Sequence, residues 1–352
     1  MTNFFILEQM LRDMSSVSSL YRPSEFWEIC SKRLIKELTA EGMENFRSLP
    51  ASLGFFVPTY SYPLYLSDKK RYAPVKDAID KIVAPKKLFT MRLDDLLEGK
   101  IHALSDYRAF MASSSAKHPY TDRISESNTG SPIEQFEFDG RMFSRSFLNY
   151  LLGLNFLKKN ISDQKINTIL EIGGGFGTLG EVLLGDERND CFYIDIDIPP
   201  LAYVSYWYLK SIFGHEAIGG YDDLRTKDLL EISDLRKKYR ALTLCSWQFP
   251  QLRGKIDLFV NFISFQEMEP DIVENYCSHV IALSPEFILL RNLKEGKRKK
   301  DKAHSIGVVN PILGEDYDNY LPGYRLIASD TTVFGFRTED GFHSELRLYQ
   351  RY

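Results

Sequence analysis

The pattern of hydrophobic and polar positions divides the chain into two parts with different predicted structure. Over the first 145 residues, apolar residues recur at helical spacing, most clearly from Ser24 to Leu38, where the serine can cap a helix. Val75 to Ile82, Met91 to Leu97 and Leu104 to Met111 predict further short helices. The Ser- and Gly-containing stretch from Ala112 to Ser131 predicts a loop or linker. We therefore expect a mostly helical N-terminal domain over residues 1–145.

Beyond this part, helical segments alternate with short apolar runs. A strong amphipathic helix is predicted from Arg145 to Lys159. The predicted strands are Thr168–Ile172, Cys191–Ile196, Ala241–Leu244, Leu258–Phe262 and Phe287–Leu290, and the helices between them are Thr178–Leu184, Pro200–Phe213 and Asp271–Leu283. Such alternation predicts parallel βαβ units in a doubly wound α/β sheet over residues 146–352.

The last two strand-like runs follow a different pattern. Tyr324–Val333 and Ser344–Tyr349 have only a turn-rich link between them, Arg337 to Gly341, and no room for a crossover helix. A pair joined in this way predicts an antiparallel hairpin at one edge of the sheet.

The most informative motif is ILEIGGGFGTLG, Ile169 to Gly180, which places a glycine-rich turn between a buried strand and a helix. Gly173, Gly175 and Gly177 can take positive φ and let a ligand approach the backbone closely. In open α/β sheets, ligands bind at this end of the strands. The motif therefore predicts a ligand site at the turn.

Three interpretations of the turn remain open. Gly175, Gly177 and Gly180 match the dinucleotide fingerprint GxGxxG, in which a helix N-terminus receives a pyrophosphate. However, Gly173 and Gly174 separate the strand from that match, and Glu171 is a poor neighbour for phosphate. A carboxylate there suits a cationic group, such as the amino group of S-adenosylmethionine. A glycine-rich turn that holds no ligand is the third interpretation.

A second acidic position follows about twenty residues after the glycines. The strand in CFYIDIDIPP ends with Asp195 and Asp197, and an acid at this place can accept hydrogen bonds from ribose hydroxyls. We prefer Asp197 for the ribose, since Asp197-Ile198-Pro199 is the step typical of methyltransferases, and keep Asp195 as the alternative. Two solvated strand-end acids would look the same in sequence.

Composition and charge narrow the class of protein and of partner. The chain has 352 residues, a net charge of -4 and a pI near 6.0, which give no reason to expect nucleic acid as a partner. Its four cysteines are scattered and predict reduced thiols rather than a disulfide scaffold. The N-terminus lacks a signal-peptide pattern, and no apolar run is long enough for a membrane span. We therefore expect a cytoplasmic protein.

These motifs resemble the class I S-adenosylmethionine-dependent methyltransferases, whose first motif is ExGxGxG after a strand. Over Pro23 to Met268 the chain is also similar to the sugar O-methyltransferase family. The likeness rests on PSEFWEICSKRLIKELTAEGMENFR, TGSPIEQFEFDGRMFSRSFLNYL, LEIGGGFGTLGEVLL, YIDIDIPP and NFISFQEM. One departure is Gly-Ser-Pro where the family has Gly-Asn-Pro. The resemblance implies a Rossmann-like sheet, S-adenosylmethionine as methyl donor, and a role in surface glycan biosynthesis.

The resemblance also implies site residues. The donor would be bound by Glu171, Gly173, Gly174, Gly175, Phe176, Gly177, Asp197, Ile198, Ser246 and Trp247. Ser246 and Trp247 would line the adenine, although burial in a core is the commoner position of a Trp.

The segment after the fourth strand would face the sulfonium and the acceptor, which places Asn261 and Gln266 at the substrate and Glu267 near the transferred methyl. A sugar hydroxyl keeps its proton at neutral pH, so a general base is expected. Glu267 is the first candidate and His304 is the second. An exposed loop histidine is the alternative explanation of His304.

Two charged groups have simpler explanations than a ligand. Glu267, Glu269 and Asp271 could hold a divalent metal such as Mg²⁺, but acids at a helix N-terminus also stabilise the helix dipole, which we favour. The basic run from Lys294 to Lys302 could bind an anionic acceptor, but solvated loops often have this composition. We assign no metal ligands, and the sequence leaves a requirement for a divalent metal open.

The function predicted from the sequence is therefore methyl transfer from S-adenosylmethionine to a sugar hydroxyl of a small-molecule or glycan acceptor. Two alternatives remain, an NAD-dependent oxidoreductase and a non-catalytic S-adenosylmethionine-binding protein.

Overall fold

The computed structural model of the chain describes residues 4–58, 68–83, 95–300, 307–334, 337–338 and 341–352. Within these ranges the α-helices are α1 (Phe5–Met14), α2 (Glu25–Glu41), α3 (Pro50–Phe56), α4 (Lys69–Val83), α5 (Lys100–Ser113), α6 (Arg145–Asn160), α7 (Thr178–Leu184), α8 (Leu201–Phe213), α9 (Tyr221–Leu224), α10 (Ile232–Lys238), α11 (Pro270–Ala282) and α12 (Tyr317–Tyr320). The predicted helix Met91–Leu97 begins outside the described residues.

The strands form one large sheet and two small pairs. They are β1 (Phe136–Phe138), β2 (Arg141–Phe143), β3 (Thr168–Ile172), β4 (Phe192–Asp197), β5 (Ile218–Gly219), β6 (Leu230–Glu231), β7 (Ala241–Cys245), β8 (Leu252–Arg253), β9 (Leu258–Phe262), β10 (Phe287–Leu293), β11 (Tyr324–Asp330) and β12 (Ser344–Arg351). The large sheet has eight strands in the order β11-β12-β10-β9-β3-β4-β7-β5. β1 pairs with β2, and β6 pairs with β8.

The topology confirms the predicted fold class. In the large sheet, the six neighbouring strands β10, β9, β3, β4, β7 and β5 are parallel. The pairs β10–β12 and β12–β11 are antiparallel. The chain passes from β3 outward to β4 and to β5 at the edge, comes back to β7 between them, and then crosses to β9 on the other side of β3. This reversal opens a crevice at the carboxyl ends of β3 and β9, where doubly wound sheets bind ligands.

Burial explains why the parallel strands are mostly apolar rather than alternating. Every residue of β3, β4, β7 and β9 is buried, because helices cover both faces of the sheet. The predicted hairpin at the edge is confirmed, with Ser344 opposite Leu293 and Tyr324 opposite Arg351.

The helix α6 lies against the sheet beside the crevice. Ser144 caps it by accepting a hydrogen bond from the Phe147 backbone N–H, as serine does at helix N-termini. Gly153 brings the helix close to β9, since a Cβ at this residue would lie 2.8 Å from Cε2 of Phe262. The close approach places the N-terminal half of α6 at the wall of the crevice.

The tight hairpin β1–β2 is a feature that the sequence analysis missed. Asp139 and Gly140 form its turn with φ of 50° and 73°, and an Asp-Gly pair is typical of such two-residue turns. The hairpin lies directly before α6 and packs Phe138 against Tyr107 of α5.

Residues of the N-terminal part and of the sheet belong to one apolar cluster. Leu34 and Phe46 are fully buried in the same cluster as Leu179 and Leu209, which cover the sheet. The division into domains at residue 145 stays a prediction. Among the described helices, none combines the length and the apolar character that crossing a membrane requires.

Candidate active site

The glycine turn between β3 and α7 has the conformation that its sequence predicts. Gly173, Gly175 and Gly177 have φ of 75°, 66° and 89°, in the left-handed region that favours glycine. Gly174 is required for a different reason, since a Cβ there would lie 2.8 Å from the oxygens of Glu171 and Tyr193. The turn therefore tolerates no side chain larger than hydrogen at these positions without strain or a clash.

Asp197 ties the end of β4 to this turn. Its carboxylate accepts hydrogen bonds from the backbone N–H of Gly175 at 3.0 Å and of Ile198 at 2.7 Å. Burial, and secondarily the nearby Asp195, raise the pKa of Asp197 well above its ordinary value. Both oxygens keep a further lone pair for a ligand hydroxyl. Asp197 also lines the crevice, whereas Asp195 lies beneath Gly174 and is buried.

Glu171 does not reach the crevice. The side chain is 0% exposed and accepts hydrogen bonds from the hydroxyls of Tyr150 at 2.7 Å and Tyr193 at 2.5 Å. Burial and the charge of Asp195 raise the pKa of Glu171 to about 8. Tyr150 and Gly174 cover the carboxyl group, so Glu171 lies behind the cavity wall, and its contact with a ligand cation stays a prediction.

The crevice is a cavity of about 370 Å³ at the carboxyl ends of the strands. Its volume lies in the range usual for small-molecule sites. Of the residues predicted from the sequence, those that line it are Gly173, Gly174, Gly175, Phe176, Asp197, Ile198, Ser246, Gln266 and Glu267. Glu171, Gly177, Trp247 and Asn261 are not part of its lining.

Ser246 and Trp247 follow β7 but differ in position. Ser246 lies in the cavity wall, where its hydroxyl donates to the backbone carbonyl of Tyr21 at 2.6 Å. Trp247 instead packs edge-on against Tyr221, outside the cavity lining. Tyr276 of α11 supplies an aromatic ring to the wall near Ser246, and sequence reasoning did not find it.

The segment after β9 brings Gln266 and Glu267 to the cavity, while Asn261 supports them from below. Asn261 donates to the carbonyl of Ile172 at 2.9 Å and accepts from the N–H of Phe265 at 3.2 Å. Gln266 accepts from the backbone N–H of Leu293 at 2.7 Å. Asn261 is fully buried and holds the turn in place. Gln266 and Glu267, rather than Asn261, are therefore the residues of this segment that can contact a substrate.

The carboxylate of Glu267 is held from two sides. One oxygen lies 2.6 Å from the Lys297 ammonium and the other accepts from the indole N–H of Trp27 at 2.8 Å. Its side chain is 10% exposed and lines the cavity. His304, the second candidate base, lies outside the described residues.

Several lining residues come from parts of the chain that sequence reasoning did not assign to the site. The loop Arg22–Ser24, Phe26 and Trp27 of α2, and the segment Gly54–Pro58 cover the cavity from the N-terminal part. From α6 and the sheet, Tyr150 stacks on Phe262 with ring planes 2° apart. Arg291 was detectable in sequence as a charge inside the apolar run FILLRNL.

No group of three or more His, Cys, Asp or Glu side chains in the described ranges has the arrangement of a metal site. Glu269, one of the acids considered for Mg²⁺, instead accepts from the backbone N–H groups of Val309 at 2.7 Å and Asn310 at 3.0 Å. Glu267 and Glu269 thus both have partners within the protein.

Comparison with known proteins gives similarity only at the level of solved structures. No protein-family model matches the chain, and no curated protein matches its sequence. Magnesium protoporphyrin IX methyltransferase from Synechocystis, solved with bound S-adenosylmethionine, is 12% identical, with a TM-score of 0.36, over 58% of this chain and 77% of that one. An S-adenosylmethionine-dependent methyltransferase from Clostridium acetobutylicum is 9% identical, with a TM-score of 0.37, over 58% and 89%. Mitomycin 7-O-methyltransferase is 12% identical, with a TM-score of 0.36, over 86% and 75%.

Proposed function

We propose that this protein is an S-adenosylmethionine-dependent O-methyltransferase that acts on a sugar hydroxyl in the cytoplasm. The observation that carries the proposal is the hydrogen bond from the Gly175 N–H to the Asp197 carboxylate at 3.0 Å, which joins the glycine turn and the strand-end acid at one cavity wall. A nucleoside held there has its ribose at Asp197, and the rest of the ligand passes over Gly173 and Gly174.

The residues that line the cavity suit such a donor. Ile198, Ser246 and Tyr276 surround the space beyond Asp197, where an apolar and aromatic lining suits an adenine ring. On the other side of Asp197, the backbone of the glycine turn and the Tyr150 ring leave room for the methionine part. Bound there, S-adenosylmethionine supplies a methyl group on a positively charged sulfur.

The same contacts disfavour a dinucleotide. A pyrophosphate needs backbone N–H groups that point into the site. The N–H of Gly175 donates to Asp197, and the N–H of Gly177 donates to the carbonyl of Gly174 at 3.1 Å.

The chain's own residues have two tasks in the reaction. They must align the acceptor oxygen with the methyl group and receive the proton of the hydroxyl. Glu267 is the candidate for the second task, since its carboxylate lines the cavity next to the end of β9. Trp27 and Lys297 fix this carboxylate in position, and each of its oxygens has a remaining lone pair for the hydroxyl proton.

The sugar hydroxyl and the role in glycan biosynthesis rest on the family resemblance over Pro23 to Met268. Polar side chains of Ser146, Asn149 and Gln266 in the cavity wall are compatible with a hydroxylated acceptor.

Two titrations test the proposal. Calorimetry with S-adenosylhomocysteine should show binding, and the same titration with NADH should show none. Incubation with methyl-labelled donor and a panel of monosaccharides and nucleotide sugars should then label a sugar. Binding of NADH without binding of S-adenosylhomocysteine would favour the oxidoreductase. Donor binding without labelling of any acceptor would favour a non-catalytic binding protein.

A further inference from the structure

The N-terminal part of the chain covers the cavity with four aromatic side chains. They are Phe26 and Trp27 of α2 and Phe55 and Phe56 at the end of α3, and we call them the aromatic cover. All four line the cavity, and each is only partly buried. Large apolar side chains that stay partly exposed and gather on one concave surface are typical of ligand-binding grooves.

The aromatic cover extends from the glycine turn to the candidate base. Phe56 lies at the turn, since a Cβ on Gly175 would lie 3.3 Å from its Cε1 atom. At the other end, Trp27 donates to Glu267 at 2.8 Å, and its ring centroid lies 5.7 Å from that of Phe55. In the proposed reaction the transferred methyl group lies between the turn and Glu267. The acceptor therefore binds beneath the aromatic cover.

A strained isoleucine adds apolar surface on the sheet side of the cavity. Ile263 follows β9, lines the cavity and is 38% exposed. Its φ of 74° and ψ of -36° lie in a region that β-branched residues rarely adopt. Such strain is concentrated at ligand sites, where the surrounding structure maintains it. The strained backbone thus keeps an exposed apolar side chain at the cavity.

Two of the cations that line the cavity have partners inside the protein. The Lys297 ammonium lies 2.6 Å from the Glu267 carboxylate and 5.3 Å from the Phe26 ring centroid. Arg22 donates to two backbone carbonyls earlier in the chain, both at 2.8 Å. These contacts lower the cost of excluding water from the charged groups when an apolar ligand binds beside them.

We propose that the acceptor carries an apolar ring close to the hydroxyl that receives the methyl group, and that the aromatic cover and Ile263 bind this ring. The inference rests on the proposed methyl transfer and narrows its acceptor. For a sugar acceptor, the ring is an aglycone, as in an aryl glycoside. Aromatic side chains pack on such a ring in stacked or edge-on geometry, which adds to the gain from buried apolar area.

The test compares matched probes with and without a ring on the full chain saturated with S-adenosylhomocysteine. The first pair is methyl β-glucoside and phenyl β-glucoside, which differ only in the aglycone. The second pair is glycerol and its monophenyl ether, which does not depend on a sugar. Calorimetry should give a Kd at least about 10-fold lower for the ring-bearing member of a pair, since a phenyl group is removed from water.

Substitution then assigns the gain in affinity to residues. Phe55→Ala removes one ring of the aromatic cover, and Ile263→Asn introduces a polar side chain that tolerates positive φ. Each should reduce the gain about threefold or more, while S-adenosylhomocysteine still binds, which also shows that the variant is folded. Ile29→Ala is the matched control, since Ile29 also belongs to α2, is 61% exposed and does not line the cavity. It should leave the gain unchanged.

The outcomes separate this inference from the proposed function. Failure of the wild-type protein to bind S-adenosylhomocysteine contradicts the proposed function. Donor binding with no gain from the ring in either pair, or with no binding of a ring-bearing probe at millimolar concentration, overturns this inference alone. A gain that both Phe55→Ala and Ile263→Asn retain, or that Ile29→Ala loses equally, also overturns it. A gain seen only in the second pair supports the apolar ring and contradicts the sugar.

Discussion

Gly175 is the residue whose conformation we predict to be essential for donor binding. Its φ is 66°, its N–H holds Asp197, and a Cβ would lie 3.3 Å from the Phe56 ring in the cavity wall. We expect Gly175→Val to abolish binding of S-adenosylhomocysteine in a folded protein, measured by calorimetry with circular dichroism as the check. Gly140→Val is the control, because Gly140 has φ of 73° in a hairpin turn with no atom within 4 Å of its Cβ position. Equal loss of binding in both variants would contradict a local effect.

Asp197 is the acid that faces the cavity, and its replacement tests the ribose site. Asp197→Ala should weaken binding of S-adenosylhomocysteine by about 1–3 kcal/mol, since it removes the acceptor of two ribose hydroxyls and each hydrogen bond contributes about 0.5–1.5 kcal/mol. Asp195→Asn is the comparison, because Asp195 lies beneath Gly174 and does not line the cavity. The affinity of both variants for S-adenosylhomocysteine decides whether Asp197 or Asp195 binds the ribose. A larger loss in Asp195→Asn would mean that the wrong carboxylate has been chosen.

Glu267 is the residue on which the catalytic prediction depends. Glu267→Gln keeps the shape and removes the charge, so turnover should fall about 100-fold or more if general-base help is lost. Donor affinity should barely change, because the Glu267 carboxylate contacts Trp27 and Lys297, whereas the donor is expected at Asp197 and the glycine turn. Lys297→Met keeps the carboxylate and should reduce turnover less. Near-normal turnover of Glu267→Gln would remove Glu267 from the mechanism, and His304 would be tested next.

At the scale of elements, Gly153 lets α6 pack closely on Phe262 of β9, a residue of the cavity wall. Gly153→Ala should destabilise the protein by about 1–3 kcal/mol, although alanine favours helix, because the new methyl group clashes with Phe262. Gly54→Ala should instead stabilise it by about 0.4–1 kcal/mol, since nothing lies within 4 Å of that Cβ position in α3. Urea denaturation measures both. A stabilising Gly153→Ala would contradict the close packing of α6 on β9.

The secondary-structure elements were largely predictable because the spacing of their apolar residues matches the residues that are buried. Thr168–Ile172 and Leu258–Phe262 have the predicted bounds, and the helix at Arg145 extends one residue beyond the prediction. β10 continues to Leu293 rather than Leu290, since Arg291 and Asn292 are polar residues held by pairing with β12. A hydrophobicity pattern cannot detect polar strand residues whose partners are distant in sequence.

The site was less predictable for the same reason. The glycine turn and Asp197 are local motifs, and both lie at the cavity. Glu171 has a matching local motif, but two tyrosines from other elements cover it. Trp27 and Tyr150 belong to helices in which the spacing of the apolar residues indicates an apolar face and nothing about the site. Which side of a helix meets the site depends on tertiary packing, which local spacing does not encode.

At the scale of the whole molecule, buried acids make stability depend on pH. Burial raises the pKa of Glu171 and of Glu134 to about 8, and that of Glu181 and of Asp195 to about 7, from ordinary values of 4.5 and 3.8. Between about pH 4 and pH 8 the unfolded chain loses these protons and the folded chain keeps them. The folded state then binds more protons, so its stability falls as pH rises through this window.

The melting temperature should therefore be higher at pH 6 than at pH 8.5, as differential scanning calorimetry can measure. Glu171→Gln removes one of these groups and should reduce the difference between the two pH values. A melting temperature that rises from pH 6 to pH 8.5 would contradict the protonated state of these acids in the folded protein.

The indole of Trp27 gives the molecule an internal optical reporter. Of the three tryptophans in the chain, Trp27 lines the cavity and donates to Glu267, while Trp207 and Trp247 lie outside the lining. A ligand that fills the cavity changes the polarity around this one indole. Intrinsic emission should therefore follow occupancy in real time, without a label and before any acceptor is identified, and the signal should vanish in Trp27→Phe.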